Sequence, residues 1–255
     1  MMPVLFMGHG SPMNAVEDNE YTRAWKNIAK EIQKPKAILC ISAHWLTRGT
    51  YVCTADPPGT IYDFGGFPEQ LYRLKYSCPG SPSLAKEISE KVQGFSIGKT
   101  EDWGLDHGTW EILIQMYPKA DIPVLQMSIN YEKDNADYHY RLGAALRFLR
   151  EEGVLILASG NIVHNLGTIR FNDTTGYPWA ESFDGTVEKL ILERNIKALN
   201  SWKTLGEPAL KSVPSPDHYY PLMYILGAST EKDKISFPVK GLTMGSISMR
   251  SVLFS

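Results

Sequence analysis

Cysteine is scarce in this sequence, which has only Cys40, Cys53 and Cys78 among its 255 residues. An odd number with no C-x-x-C pair excludes a disulfide framework and a cysteine-based zinc knuckle, and it favours a reducing compartment. No apolar run approaches the roughly 20 residues of a membrane span, and the first residues lack the pattern of a secretory signal. We therefore expect a cytoplasmic protein.

An excess of either charge is also missing. The sequence has 26 Lys and Arg against 28 Asp and Glu, a formal net charge of −2, which gives no support to nucleic-acid binding. The motifs G-x-x-x-x-G-K-[ST], G-x-S-x-G and H-E-x-x-H are absent, and no G-x-G-x-x-G follows a predicted strand. We expect a small-molecule substrate and neither a nucleic-acid nor a membrane partner.

Short apolar runs alternate with longer segments of helical spacing. The apolar runs predict strands at 3–7, 36–42, 122–129, 153–159 and 244–254. The helical spacing predicts helices at 20–33, 83–92, 109–117, 136–150 and 180–199. This alternation predicts an α/β fold with a mostly parallel or mixed central sheet and helices on both faces.

The chain shows no internal repeat, low-complexity tract or linker, so we expect a single catalytic domain over residues 1–255. Residues 56–82 differ from the rest because they are rich in glycine, proline and aromatic residues. They predict a long ordered loop, and such loops are often functional.

Six histidines carry most of the functional information. His9, His44 and His164 each follow a predicted strand, and the carboxyl ends of strands in an open sheet meet in one crevice. His218 lies in PSPDHYYPLMYILGA, where we expect it in the first turn of a helix capped by Asp217. Its presence at the same crevice is an inference from topology alone.

Imidazole is a common ligand of divalent transition metals, so this grouping predicts a mononuclear metal site. Gly8 and Gly10 flank His9, and we expect them to let a metal or substrate approach closely. His107 could orient a substrate, act as an acid or base, or be structural. His139 is expected on the solvated face of a helix. Both hydrolysis by a metal-bound water and oxygen chemistry at a non-haem iron are compatible with such a site.

Six segments, in order along the chain, carry a family resemblance: GHGSPMNA, ISAHW, YDFGGFPEQLY, GLDHGTW, ASGNIVHNL and PSPDHYYPLMYILGA. Together they resemble the class III extradiol ring-cleaving dioxygenases of the LigB type, in the 4,5-DOPA extradiol dioxygenase-like branch. The resemblance runs from residue 3 to the C-terminus. It implies an α/β oxidoreductase that uses O2 and one non-haem metal to open the ring of a DOPA-like catechol.

The resemblance also implies roles for individual residues. His9, His44 and His218 would bind the metal. His164 would be a general base or acid close to it, or a fourth ligand in the resting enzyme. His107 would lie near the substrate and O2.

Tyr62, Phe64 and Phe67 in the aromatic loop are candidates for the walls of a catechol site, with simple loop packing as the alternative. The wider superfamily offers two histidines and a carboxylate, whereas the matching third position here is His218, unless Asp217 supplies the carboxylate. An all-histidine set also suits Zn(II), so we expect Fe(II) for activity and Zn(II) as an alternative occupant.

Two other functions stay open on these grounds, a zinc-dependent hydrolase on the same fold and a non-enzymatic metal- or ligand-binding relative. The protein is expected to be a monomer or a small homo-oligomer.

Overall fold

The buried apolar runs of the sequence form the central strands of the protein. A computed structural model describes residues 1–171 and 173–255. The strands of these residues are β1 Val4–Gly8, β2 Ala37–Thr47, β3 Thr50–Cys53, β4 Ile97–Thr100, β5 Val124–Asn130, β6 Val154–Gly160, β7 Ile235–Val239, β8 Leu242–Thr243, β9 Ile247–Ser248 and β10 Ser251–Phe254. Strands β1, β5 and β6 lie within two residues of their predicted bounds, and β2 begins as predicted but extends to Thr47.

The helices of the described residues are α1 Glu20–Glu31, α2 Glu69–Tyr72, α3 Pro82–Lys91, α4 His107–Met116, α5 Ala136–Ala145, α6 Pro178–Leu192, α7 Ile196–Asn200, α8 Glu207–Ser212 and α9 Tyr220–Ala228. Short 3-10 turns lie at Pro12–Ala15, Arg147–Arg150, Leu166–Thr168 and Trp202–Thr204. No helix in this part of the chain is long and apolar enough to cross a bilayer.

Two predicted elements are interrupted in the structure. The helix expected at 180–199 is divided into α6 and α7, because Arg194 between them has a φ of +51°. The strand expected at 244–254 is divided into β9, which pairs with β8, and β10, which joins the main sheet. Its first residues are not in a strand, because Met244 and Gly245 have φ values of +51° and +78°. Positive φ values are incompatible with a regular helix or strand.

Eight strands form one mixed sheet in the order β4-β3-β5-β2-β6-β1-β10-β7, and β8 pairs with β9 separately. The central pairs β5–β2, β2–β6 and β6–β1 are parallel, whereas β10 is antiparallel to both β1 and β7. The predicted mixed α/β sheet is therefore confirmed.

The register brings the carboxyl ends of the central strands to one level. Gly8 of β1 pairs with Gly160 of β6, and Ser42 of β2 pairs with Ser159 of β6. Residues that follow these positions therefore emerge at the same edge of the sheet, as expected for parallel neighbours.

Helices cover both faces of the sheet. Successive residues of β1 point to opposite faces: Leu5 packs in a cluster with Trp25 of α1 and Trp110 of α4, and Phe6 packs in a second cluster with Leu142 of α5. Each fully buried side chain of this size contributes about 1.5–3 kcal/mol to stability. The two clusters hold the strand ends, and the histidines on them, in fixed positions.

Candidate metal centre

His9 directly follows β1 and is almost fully buried. Its backbone N–H donates to the Gly160 carbonyl (3.2 Å), and its own carbonyl accepts from Asn14 Nδ2 (2.8 Å). Its Nδ1 lies 2.9 Å from the Ser159 hydroxyl oxygen. With the backbone and Nδ1 engaged, His9 presents Nε2 to the cleft.

The glycines beside His9 have a different role from the one expected. A Cβ on Gly8 would lie 2.6 Å from the backbone carbon of Met249, and a Cβ on Gly10 would lie 2.5 Å from the Met249 sulfur. Gly10 also has a φ of +75°, so the sharp turn predicted there is present. At Gly8 this space is filled by the Met249 backbone, so the expected approach of a ligand there was wrong. Gly10 lines the cleft, and at this position the expectation stays a prediction.

The sequence predicted that His44 follows its strand, but in the structure it lies within β2. The pairing of β2 with β5 is irregular between Ile41 and Leu46, and the strand then continues to Thr47. Such an irregularity re-aims a side chain without ending the strand. His44 Nε2 lies 3.2 Å from His9 Nε2.

His218 lies two residues before α9 and not in its first turn. The helix begins at Tyr220 with Tyr219 at the N-cap position, so the prediction that Asp217 caps it is wrong. The Asp217 carboxylate instead accepts a hydrogen bond from His218 Nδ1. The His218 carbonyl accepts from the Asn161 backbone N–H (3.0 Å), which ties this segment to the end of β6.

Ring nitrogens of His9, His44 and His218 lie within 4.8 Å of one another. His218 Nε2 is buried and has no hydrogen-bond partner among the described residues. Buried polar atoms almost always have a partner, so an unpaired nitrogen facing two other imidazoles fits a metal ligand. Burial, reinforced by the neighbouring histidines, lowers the pKa of His9 and His44 well below 6.5, which keeps them in the neutral form that binds metals.

His164 lies beside this group of three. Its ring stacks on the His218 ring, with centroids 3.4 Å apart and an interplanar angle of 5°. Its backbone N–H donates to the Ser212 carbonyl (2.9 Å). Burial, and then the neighbouring His218 imidazole, lowers the pKa of His164 to about 3, so its imidazole is neutral at neutral pH.

His107 opens α4 and is held by Asp63, a residue that the sequence analysis missed. The His107 backbone N–H donates to Asp63 Oδ1 (2.8 Å), and His107 Nδ1 lies 2.9 Å from Asp63 Oδ2. The same Oδ2 is 3.3 Å from Nδ1 of His44. Burial alone would raise the pKa of Asp63, but the hydrogen bonds from His107 outweigh it and the pKa is lowered.

The aromatic loop forms one wall of the cleft, which has a volume of about 750 Å3. Phe64 and Phe67 line it, and the Phe64 ring lies edge-on to His107 at 5.5 Å between centroids. Tyr62 is not among the lining residues, because its hydroxyl donates to the Leu74 carbonyl (2.5 Å) behind the loop. Of the three residues predicted as walls of a catechol site, Phe64 and Phe67 therefore line the cleft and Tyr62 does not.

Polar residues such as Glu17 and Asn19 line the cleft besides the histidines, and so does a set of apolar residues that was not anticipated: Met13, Leu166, Ile169, Phe171 and Met244. These apolar residues come from turns whose position depends on the packing of distant segments, and Leu166 and Phe171 are large exposed side chains of the kind that mark a binding surface. A cleft that combines apolar side chains with several polar groups suits a small, partly aromatic ligand.

The class of the protein follows from comparison with known sequences. A family described as the catalytic LigB subunit of aromatic ring-opening dioxygenase matches residues 3–254. Because this match spans nearly the whole chain, the protein belongs to that family and is a ring-cleaving dioxygenase, an oxidoreductase. This confirms the resemblance and the enzyme class predicted from the sequence, so the hydrolase and non-enzymatic alternatives are not carried further.

Individual relatives agree with this class. The chain is 47% identical over 255 residues to the 4,5-DOPA dioxygenase extradiol of Escherichia coli (strain K12), covering 98% of this chain and 94% of the relative. It is 42% identical over 236 residues to the protein of the same name from Beta vulgaris, covering 90% and 87%. The crystal structure of uncharacterized protein JW3007 from Escherichia coli K12 matches with a TM-score of 0.87 at 42% identity over the full length of both chains.

Proposed function

We propose that this protein is an extradiol dioxygenase that opens the ring of a DOPA-like catechol with O2 and one divalent non-haem metal. The observation that carries the proposal is the convergence of His9, His44 and His218 in a member of a ring-opening dioxygenase family. The relatives from Escherichia coli and Beta vulgaris, both named for the extradiol dioxygenation of DOPA, support this substrate class.

The proposed metal ligands are the imidazoles of His9, His44 and His218. Neutral imidazole nitrogens suit both Fe(II) and Zn(II), and the unpaired His218 Nε2 supplies the third donor. When bound, the metal supplies a Lewis acid for the two catechol oxygens and, as Fe(II), a redox path to O2. We propose Fe(II) as the active metal because Zn(II) has no redox chemistry.

His164 is the proposed general base. Its imidazole lies against the ring of His218, and therefore beside the proposed ligands, where it can accept a proton from a catechol hydroxyl. The same group can return the proton to the ring-opened product. We propose it as a base and not as a ligand because it is outside the group of three converging nitrogens.

His107 and the aromatic wall are proposed to position the substrate. His107 bonds to Asp63 through Nδ1, which leaves Nε2 available to the substrate or O2. Phe64 and Phe67 offer ring faces and edges to a planar catechol.

We further propose that residues 1–255 act as one catalytic domain in the cytoplasm. All three cysteines are free and buried, and burial raises the pKa of Cys78 to about 11, which keeps its thiol protonated. Such thiols suit a reducing compartment.

The test is to load metal-free protein with Fe(II) under anaerobic conditions and then to add L-DOPA and 18O2. We expect one O2 consumed per DOPA and both labelled atoms in a yellow, ring-opened product. Zn(II)-loaded protein is the control and should show no turnover. The proposal fails if iron is bound at one ion per chain and no catechol in a panel is opened.

A further inference from the structure

We propose that Asp63 is a positioning residue that sets the tautomer of His44 and His107 together. Asp63 Oδ1 accepts a hydrogen bond from the His107 backbone N–H (2.8 Å). Its Oδ2 lies 2.9 Å from His107 Nδ1 and 3.3 Å from His44 Nδ1. One carboxylate oxygen is therefore hydrogen-bonded to His107 Nδ1 and lies at ion-pair distance from the same nitrogen of His44. The inference rests on the proposed function in one respect, because His44 is a proposed metal ligand.

The consequence for the two rings follows from hydrogen-bond chemistry. An ionised carboxylate can only accept, so it stabilises a proton on His107 Nδ1 through the hydrogen bond and a proton on His44 Nδ1 through electrostatic attraction. Each Nε2 then carries a lone pair. For His44 this is the nitrogen that lies 3.2 Å from His9 Nε2 in the candidate metal centre. For His107 it is the nitrogen left to face the cleft, and carboxylates beside ligating histidines orient them in the same way.

The chain holds Asp63 in place through its loop. On one side of it, the Ile61 carbonyl accepts from Trp110 Nε1 of α4 (2.8 Å). Next to it, the Tyr62 hydroxyl donates to the Leu74 carbonyl (2.5 Å). Tyr62 thus ties the loop to Leu74 and does not line the cleft, which gives the YDFGG segment a role in positioning the carboxylate.

A different role for Asp63 would be as a ligand of a second metal ion. Atoms of His44, Asp63 and His107 do lie within 4.8 Å of one another. However, both Asp63 oxygens already accept hydrogen bonds from His107, and Nε2 of His44 faces His9. These contacts favour a role of Asp63 in orienting the two rings, and they argue against a second metal site.

The test uses the nearly isosteric substitution Asp63→Asn. The amide oxygen can keep the bond from the His107 N–H, but the amide nitrogen then faces both Nδ1 atoms as a donor, which drives each proton to Nε2. The matched control is Asp56→Asn in the same loop, where Asp56 Oδ1 accepts from the Gly80 N–H (2.8 Å) and an amide oxygen can do the same. Asp63→Glu, which keeps the carboxylate, tests for rescue.

The first measurement is the protonation of the ring nitrogens by 15N NMR of the metal-free protein. Wild type, Asp56→Asn and Asp63→Glu should carry the proton of His44 and His107 on Nδ1, and Asp63→Asn should carry it on Nε2. A wild-type proton on Nε2 of either ring, or unchanged tautomers in Asp63→Asn, would overturn the inference even if other variants did not fold.

The second measurement is Zn(II) affinity and stoichiometry. We expect one ion per wild-type chain and an affinity about 10–100-fold lower in Asp63→Asn, with Asp56→Asn unchanged. A second wild-type ion that is lost with Asp63 would show a second metal site and contradict the inference. If the tautomers shift as expected but wild type binds no metal, the proposed function fails and the role of Asp63 in setting the tautomers stands.

Discussion

His139 and His218 are both buried histidines, but they differ in the hydrogen bonds of their ring nitrogens. In His139, Nδ1 lies 3.1 Å from the Tyr224 hydroxyl and Nε2 lies 3.0 Å from the Lys133 carbonyl. In His218, Nδ1 bonds to Asp217 and Nε2 has no partner among the described residues. A buried imidazole with both nitrogens bonded serves the fold, whereas one with a nitrogen left over can serve a ligand.

The two rings also differ in the side chains that surround them. His139 stacks on Tyr220, with centroids 4.2 Å apart, and has neutral hydrogen-bond partners. His218 is surrounded by other histidine rings, with His9 at 5.2 Å and His44 at 5.0 Å between centroids, and its partner is a carboxylate. Carboxylates next to imidazoles are typical of metal centres.

The largest expected effect is on metal affinity, which should depend on the cleft histidines and not on His139. His44→Ala should lower the affinity for Fe(II) or Zn(II) by more than about 100-fold, because a ligand from the first shell is lost and not merely misoriented. His139→Gln should leave the affinity within about twofold of wild type. Isothermal titration of the metal-free proteins measures both, and full affinity in His44→Ala would contradict the assignment.

A substitution of His164 tests whether this residue acts as a base or as a metal ligand. His164→Gln should lower kcat by about 100-fold or more, because a positioned base is removed, while the metal affinity stays within a few-fold of wild type. Steady-state oxygen uptake with iron-loaded protein checks the rate. Loss of the metal in this variant would instead make His164 a ligand.

The partners of the two buried rings provide a matched pair of substitutions. Asp217→Asn should weaken metal binding about 10–100-fold, because the carboxylate that orients His218 is lost. Tyr224→Phe should leave metal binding unchanged and lower the free energy of unfolding by about 1 kcal/mol, the usual contribution of one hydrogen bond. Metal titration and urea unfolding of both variants test the pair, and equal effects on metal affinity would remove the distinction.

The smallest expected effect is the pH dependence of the free energy of unfolding that is linked to His139. Burial lowers the pKa of His139 to about 4 from the ordinary 6.5, so the unfolded chain binds this proton more readily than the folded protein. The stability linked to His139 is therefore complete above about pH 6.5 and is lost as the pH falls toward 4. Between pH 7 and pH 5 the loss should be about 2 kcal/mol.

Urea unfolding of metal-free wild type and His139→Gln at the two pH values measures this term. The cleft histidines are present in both proteins, so their contributions cancel in the difference. The variant should lose about 2 kcal/mol less than wild type on acidification. An identical loss in the two proteins would show that His139 does not titrate as described.

Much of the fold was predictable because the central strands are covered on both faces. Strands β1, β2, β5 and β6 are continuous apolar runs and were found within a few residues of their true bounds, except for the extension of β2 to Thr47. The edge strands β4 and β7 were missed, because they are partly exposed and their sequences IGKT and ISFPV lack a clear apolar run.

His9 and His164 were predictable from the strands that they follow, and His44 from its strand, although it lies within β2 and not after it. The surroundings of these histidines were not predictable. Asp63 acts across a long loop, and its distance from His44 depends on how that loop packs on α4. The solvated position expected for His139 was wrong, since its polar neighbours in the sequence hide a helix face buried against α9. Tertiary packing decides both cases.

The most direct test of the account is the position of the metal. A crystal of iron-loaded protein, measured at the iron absorption edge, should show one anomalous peak per chain. We expect this peak within bonding distance, about 2.1 Å, of Nε2 of His9, His44 and His218, with none near His139. A peak at any other group of residues, or no peak in crystals shown to contain iron, would contradict it.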